Sequence, residues 1–263
     1  MKTPVHRAHI KKYLKLFAAL LLSGLATSAD GGAAAPTLRV PDKTIVLTFD
    51  DGVATHASIV APLLKKYGFG ATFFITEGFD FATNKTQYMT WEQIRELNDG
   101  GFEIGNHTRQ HASVTSQKPA DLAADVEYIE AQCAANQIPR PTSFCYPVYA
   151  ANEESVQFLR GRGYLFARGG GDRAFDPAKD EPLLMPQAFD SKPGVTFEQF
   201  VAAVATAKDG KIAVLTFHGV PDKDHPWVST GAAVFEKYLD YLKAQGCTVI
   251  AARDMAKYLP ALH

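Results

Sequence analysis

Two short stretches carry the residue types that hydrolytic metal chemistry requires: Thr48-Phe49-Asp50-Asp51-Gly52, and His107-Thr108-Arg109-Gln110-His111 further along the chain. Two imidazoles and one carboxylate make a set of three ligands that leaves positions open on a divalent ion for water and substrate. A second carboxylate beside them completes the minimum equipment for hydrolysing an amide with metal-bound water. Each stretch alone is ambiguous. An Asp-Asp pair at a strand end also serves as a helix cap or a turn, and His-x-x-x-His also describes two unconnected histidines. The spacing predicts both imidazoles on one side of a helical turn, where they can share a metal.

The two aspartates need different work, because a carboxylate bound to a metal has lost much of its basicity. Asp51 is assigned to the metal and Asp50 to general base. A metal lowers the pKa of its bound water from 15.7 to about 7, so a nearby carboxylate can take the proton as the water attacks a carbonyl carbon. The metal and a neighbouring backbone N–H then stabilise the oxyanion. The departing amine needs a proton, and His218 in Leu215-Thr216-Phe217-His218-Gly219 is the candidate donor. A negative neighbour that favours its protonated form is expected.

These residues must be held by regular elements, and the chain alternates strand-like and helix-like runs from residue 43 to its end. Strands are predicted over Thr44 to Phe49, Ala71 to Ile75, Glu103 to Gly105, Thr142 to Tyr146, Leu165 to Ala167, Ala213 to Phe217 and Thr248 to Ala251. Helices are predicted over Ile59 to Tyr67, Thr90 to Asp99, Pro119 to Asn136, Glu153 to Arg162, Thr196 to Ala207 and Gly231 to Gln245; Thr90 and Gln93 read as a capping box. Asp50, Asp51, His107 and His218 fall just past C-terminal strand ends, the face that carries the active site in a parallel α/β barrel. An open doubly wound sheet has the same rhythm.

The 263 residues carry a formal charge of -1 and 46% hydrophobic side chains, enough for one well-buried domain. Near-neutral charge gives no reason to expect nucleic acid as a partner. Lys2, Arg7, Lys11, Lys12 and Lys15 precede the apolar run Leu16 to Leu22, which gives way to small residues up to Ala29. That order is a secretory signal peptide over 1–29, too short in its apolar part for a membrane anchor. The mature protein, with no membrane span, is then periplasmic or secreted. A linker over 30–42 precedes a single catalytic domain over 43–263. Cys133, Cys145 and Cys247 are too few for a disulfide framework; one bridge is allowed, and small buried side chains explain all three as well.

With these motifs in place, the chain resembles the polysaccharide deacetylases of the NodB-homology family of carbohydrate esterases. T-F-D-D-G stands at Thr48 to Gly52, H-[ST]-x-x-H at His107 to His111, and an apolar run ending in histidine at Val214 to His218. The resemblance covers roughly Lys43 to Ala252. It implies a distorted (β/α) barrel, an Asp51-His107-His111 site for zinc or a similar divalent ion, Asp50 as base and His218 as acid. It also implies removal of acetyl groups from an N-acetylated oligo- or polysaccharide. An O-acetyl esterase and a hydrolase of a non-sugar amide would use the same residues, and a glycan-binding domain would keep the fold without the chemistry.

The pattern departs from the family at its third motif, where Cys145 stands in place of the arginine that orients the catalytic aspartate, and the usual fourth motif is unrecognisable. Arg168, at a strand end, either supplies the missing guanidinium to Asp50 from another strand or is a surface arginine before the flexible glycines 169–171. Substrate-side candidates are Tyr146, as an aromatic at the mouth, Arg168, and His225 and Trp227 in the polar, proline-rich segment after His218, which reads as a possible lid. His56 either caps the following helix or reaches the site.

Overall fold

Thr44–Phe49 forms β1, buried along its whole length, in the computed structural model, which describes residues 38–259. The expected signal peptide over 1–29 and most of the expected linker over 30–42 lie outside the described residues. On one edge of β1 runs β7 (Ala213–Phe217), parallel, from Ile45 against Ala213 to Phe49 against Phe217. Two strands share the other edge. β8 (Thr248–Ile250) pairs with residues 44–46, and β2 (Thr72–Ile75) takes over at Thr48 and Phe49. Beyond β2 follow β3 (Glu103–Asn106), β4 (Ser143–Cys145) and β5 (Phe166–Arg168), while the two-residue β6 (Phe189–Asp190) lies outside β7.

Every strand pairing is parallel. Between the outer strands β5 and β6 the chain crosses once in irregular form: Met185 exchanges backbone hydrogen bonds with Ala167 and Gly169, and the Ala188 N–H then reaches Val214. The sheet is therefore curled into a distorted (β/α) barrel, the architecture expected from the resemblance, and the doubly wound alternative is excluded.

Among the described residues six α-helices cover the outside: α1 (Ala61–Tyr67), α2 (Trp91–Asp99), α3 (Pro119–Ala135), α4 (Glu153–Gly161), α5 (Phe197–Val204) and α6 (Ala232–Ala244). The Thr90 capping box forms as predicted, with the Gln93 N–H on Thr90 Oγ1 at 3.2 Å and the Thr90 N–H on Gln93 Oε1 at 2.9 Å. Helix residues such as Leu64, Ile94, Phe200 and Leu239 pack on the outward side chains of the strands, among them Ile45, Leu47, Phe49, Leu215 and Phe217.

Side chains alternate across a strand, so outward Ile45, Leu47 and Phe49 leave Val46 and Thr48 facing the barrel interior. Val214 and Thr216 do the same on β7, and the Thr48 and Thr216 hydroxyls meet inside at 3.2 Å. The next residues of inward parity are Asp50 and His218. On β3, Ile104 packs outward while Glu103 meets Thr72 and Ser143 within the barrel at 2.7 and 2.6 Å, which gives His107 inward parity. Cys145, Arg168 and Asp190 share it. The strand alternation alone thus delivers six chemically active side chains to one end of the barrel.

Candidate active site

Asp50 ends β1, and its N–H still bonds the Phe217 carbonyl at 3.0 Å, continuing the β1–β7 ladder. The chain then turns sharply: Asp51 and Gly52 both adopt left-handed backbone, at φ 73° and 66°, where aspartate and glycine are the tolerated residues. That turn folds the Asp51 carboxylate back over the barrel end. Its Oδ1 lies 3.5 Å from His107 Nε2 and 3.4 Å from His111 Nε2.

The two histidines reach this point without the predicted helical turn. Residues 107–111 form a loop, with Thr108 and His111 at φ 63° and 55°. Asn106 Oδ1 accepts the Thr108 N–H at 2.9 Å, and Thr108 Oγ1 accepts the His111 N–H at 3.1 Å. Side-chain-to-backbone bonds of this kind compete with helix, so the Asn-x-Thr-x-x-His pattern closes a loop whose ends converge. The imidazoles lie 4.7 Å apart, edge to face.

A divalent ion fits these donors. His107 Nδ1 is occupied by the Cys145 carbonyl at 2.8 Å, which leaves Nε2 for a ligand. Asp51 Oδ1 is buried without a hydrogen-bond partner. Two donors bound at about 2.1 Å in tetrahedral geometry stand about 3.4 Å apart, matching the carboxylate-to-imidazole separations. Burial disfavours a charge on Asp51, but His107, His218 and His111 outweigh it and hold its pKa well below the usual carboxylate range. Burial and the neighbouring His107 push His111 down to about 4, leaving a neutral imidazole of the kind a metal requires.

Asp50 faces a different set of partners. Arg168 Nη2 donates to its Oδ2, and both side chains are buried. Gln187 Oε1 accepts from Arg168 Nη1 at 2.9 Å, and the Tyr149 ring lies 5.3 Å from the guanidinium carbon, a cation–π distance. Burial raises the Asp50 carboxyl; Arg168, with His107 and His218, reverses the balance and leaves it ionised below its ordinary value. His218 Nε2 stands 3.8 Å from Asp50 Oδ2, which puts a carboxylate beside the candidate proton donor.

The comparisons with known proteins agree with this geometry. Residues 37–167 match the polysaccharide deacetylase family model. The chain is 25% identical to YxkH of Bacillus subtilis (strain 168) over 64% of its own length, and spans 58% of that protein. It is 30% identical over 245 residues to a chitin deacetylase of Pestalotiopsis sp., covering 89% of this chain and 73% of that one. The chain belongs to the polysaccharide deacetylase family. Among solved structures, the Xyl-CE4 domain of a multidomain xylanase from the hindgut metagenome of Trinervitermes trinervoides superposes with a TM-score of 0.60 at 22% identity, over 85% of this chain and 95% of that one; this likeness shows the fold.

In this family member a cavity of about 440 Å³ opens over the site, lined by Asp50, Asp51, His107, His111 and His218 together with Phe79, Tyr149, Asp190, Lys192, His225 and Trp227. His225 and Trp227 thus stand where the sequence placed them. Tyr146 also lines the cavity wall, but with a fully buried side chain. Its parity points it outward, where it packs on Phe144 at 5.2 Å and its hydroxyl donates to the Leu183 carbonyl at 2.9 Å, so its ring is a buried part of the wall. Arg168 is likewise no substrate contact, being fully enclosed behind Asp50.

His56 neither caps the helix nor enters the cavity. It is buried against Phe49 and Phe73, with Nε2 on the His218 carbonyl at 3.0 Å, and burial pushes it down to about 4. Asp190, Lys192 and Phe79 escaped the sequence reading: a two-residue strand gives no periodic signal, and a lone aromatic after β2 reads as core. The glycines 169–171 pack by the wall, Gly169 on the Met185 carbonyl at 2.9 Å, and all three cysteines are free thiols. No helix among the described residues is long and apolar enough to cross a membrane.

Proposed function

We propose that this polysaccharide deacetylase removes N-acetyl groups from a glycan outside the cytoplasm, using one divalent ion, zinc, held by Asp51, His107 and His111. The observation that carries the reading is the partition of two adjacent carboxylates: Asp51 faces two imidazoles with an orphaned oxygen, whereas Asp50 is paired with a buried guanidinium and lies beside His218. A divalent ion in this site lowers the pKa of the water it binds and polarises the acetamide carbonyl. Asp50, kept ionised by Arg168, takes the proton as water attacks the carbonyl carbon. His218, when protonated, delivers a proton to the departing nitrogen, so that acetate and a free amine leave.

Support for the substrate class comes from the family match and from the Pestalotiopsis relative named as a chitin deacetylase; support for export comes from the basic, apolar and small residues over 1–29. The test is acetate release from matched N-acetylated and O-acetylated oligosaccharides by zinc-loaded protein, with Asp50→Asn alongside. Release from the amides that disappears in the variant is the expected result. Release from the esters alone would replace amide by ester hydrolysis on the same residues, and no release from any glycan would overturn the proposal.

A further inference from the structure

The guanidinium of Arg168 lies within cation–π reach of two aromatic rings, Phe74 of β2 at 5.8 Å and Tyr149 at 5.3 Å. Phe74 has the inward parity of Thr72 and is fully buried. Gly105 on the neighbouring β3 makes room for it, since a Cβ there would overlap the ring. Tyr149 is different. It is partly exposed and lines the active-site cavity, whereas Arg168 is fully buried and does not. The Tyr149 ring thus stands where the cavity ends and the buried guanidinium begins.

An unusual piece of backbone puts it there. Val148 and Tyr149 adopt φ 51° and 60° in succession, a conformation that strains a β-branched or bulky residue. The turn does not serve to bury Val148, which is exposed to 63%; what it places is the next side chain. It is tied to the arginine's own backbone, because the Tyr146 N–H bonds the Arg168 carbonyl and the Tyr149 N–H bonds the Tyr146 carbonyl, each at 3.0 Å. The glycines after Arg168 complete the fit. A Cβ at Gly170 would lie 3.1 Å from the Tyr149 Cβ, so a glycine there lets the tyrosine close down.

Strain kept at the wall of an active site calls for a purpose there. Arg168 donates to Asp50 Oδ2, while Asp50 Oδ1 is buried without a hydrogen-bond partner. An ion pair of this kind is strongest where water is excluded, and the cavity beside it is the route by which water would enter. Resting on the deacetylase reading above, we propose that Tyr149 is a positioning residue. Its ring closes the cavity side of the Arg168 guanidinium and holds it against Asp50 Oδ2, so that Oδ1 stays free and fixed to take the proton of the attacking water.

Cys145 reports on the seal, since its Sγ accepts from Arg168 Nη2 at 2.7 Å. Zinc-loaded protein is treated with a small thiol reagent under native conditions, and the modified cysteines are identified by mass. In Tyr149→Ala the labelling of Cys145 should rise by about ten-fold or more, while Cys133 of α3, buried in the outward core, stays protected; that contrast separates local opening from unfolding. On an N-acetylated oligosaccharide kcat should fall by about ten-fold with KM little changed. Tyr149→Phe, which keeps the ring, should recover most of the protection and of kcat. Gly170→Val, which presses on the tyrosine without altering it, should reproduce the alanine variant and carries the test if that variant does not fold. Parental Cys145 protection or parental kcat in Tyr149→Ala, or a Tyr149→Phe variant as impaired as the alanine one, would overturn the role. Opening at Cys145 in a protein whose parent releases no acetate would retain the seal and remove the deacetylase reading instead.

Discussion

Arg168, from the end of β5, donates to the carboxylate of Asp50 at the end of β1 inside the barrel, and Cys145 of β4 lies against the same guanidinium. The position that carries arginine in the family's third motif is thus filled by a small thiol, and the guanidinium arrives from the neighbouring strand. Arg168→Ala leaves a buried carboxylate unpaired, which costs roughly 3 to 5 kcal/mol of stability. With its largest counterweight to burial gone, the Asp50 pKa rises. Denaturant unfolding should show the lost stability, and the acid limb of the pH–rate profile should move to higher pH with kcat down by ~10²-fold. Arg168→Lys, which keeps the charge but not the planar fork, should fall between the two. An unchanged acid limb in the alanine variant would deny Arg168 its role.

Metal loading should raise thermal stability, because an ion bound to the folded state alone shifts the unfolding equilibrium. The orphaned Asp51 Oδ1 and the imidazoles of His107 and His111 are the donors. Zinc should therefore raise the melting temperature of chelator-treated protein, and His111→Ala should reduce that rise and lower the zinc content from about one per chain. A full rise in the variant would place the ion elsewhere.

His56 supplies a pH-dependent contribution to stability. Its folded pKa is pushed down to about 4 by burial, whereas an exposed histidine titrates near 6.5. Between these values the unfolded chain binds more protons, so this residue makes stability fall as pH drops from 6.5 to 4, by on the order of 3 kcal/mol. His56→Phe loses the bond to the His218 carbonyl but has no proton to bind. Its stability should decline less steeply than the parent's across that window, as read from urea unfolding at successive pH values. Parallel curves for the two proteins would contradict the assignment.

Thiol chemistry offers an independent check on the packing. Cys133 and Cys145 are buried and Cys247 is partly exposed, and burial pushes the Cys133 thiol up to about 12. A thiol reagent should label Cys247 alone in the native protein and all three cysteines in denaturant. Fast native labelling of Cys145 would show that the space behind Asp50 is open to solvent.

The sequence was most legible where period and motif coincide. β1 and β7 appear at their predicted bounds because each is a run of buried residues ending in a polar group, and Asp50, Asp51, His107, His111 and His218 converge as the order of strand ends required. Tyr146 lines the cavity wall, but the direction of its ring is not legible in the sequence: extending β4 through it without fixing which face Ser143 and Cys145 take leaves inward and outward undecided. The His107–His111 spacing predicts a helical turn, but i and i+4 also meet across a short loop closed by Asn106 and Thr108. Asp190 and Phe79 were invisible, since a two-residue strand and an exposed aromatic acquire meaning only from neighbours distant in sequence.

Asp51, His107 and His111 are proposed to hold the ion on which Asp50 and His218 depend. The most direct measurement is acetate release from an N-acetylated oligosaccharide by chelator-stripped protein titrated with zinc. Release should be negligible without metal, recover to saturation near one zinc per chain, and fail to recover in Asp51→Ala. Full release from the stripped protein, or zinc-restored release in Asp51→Ala, would contradict that role.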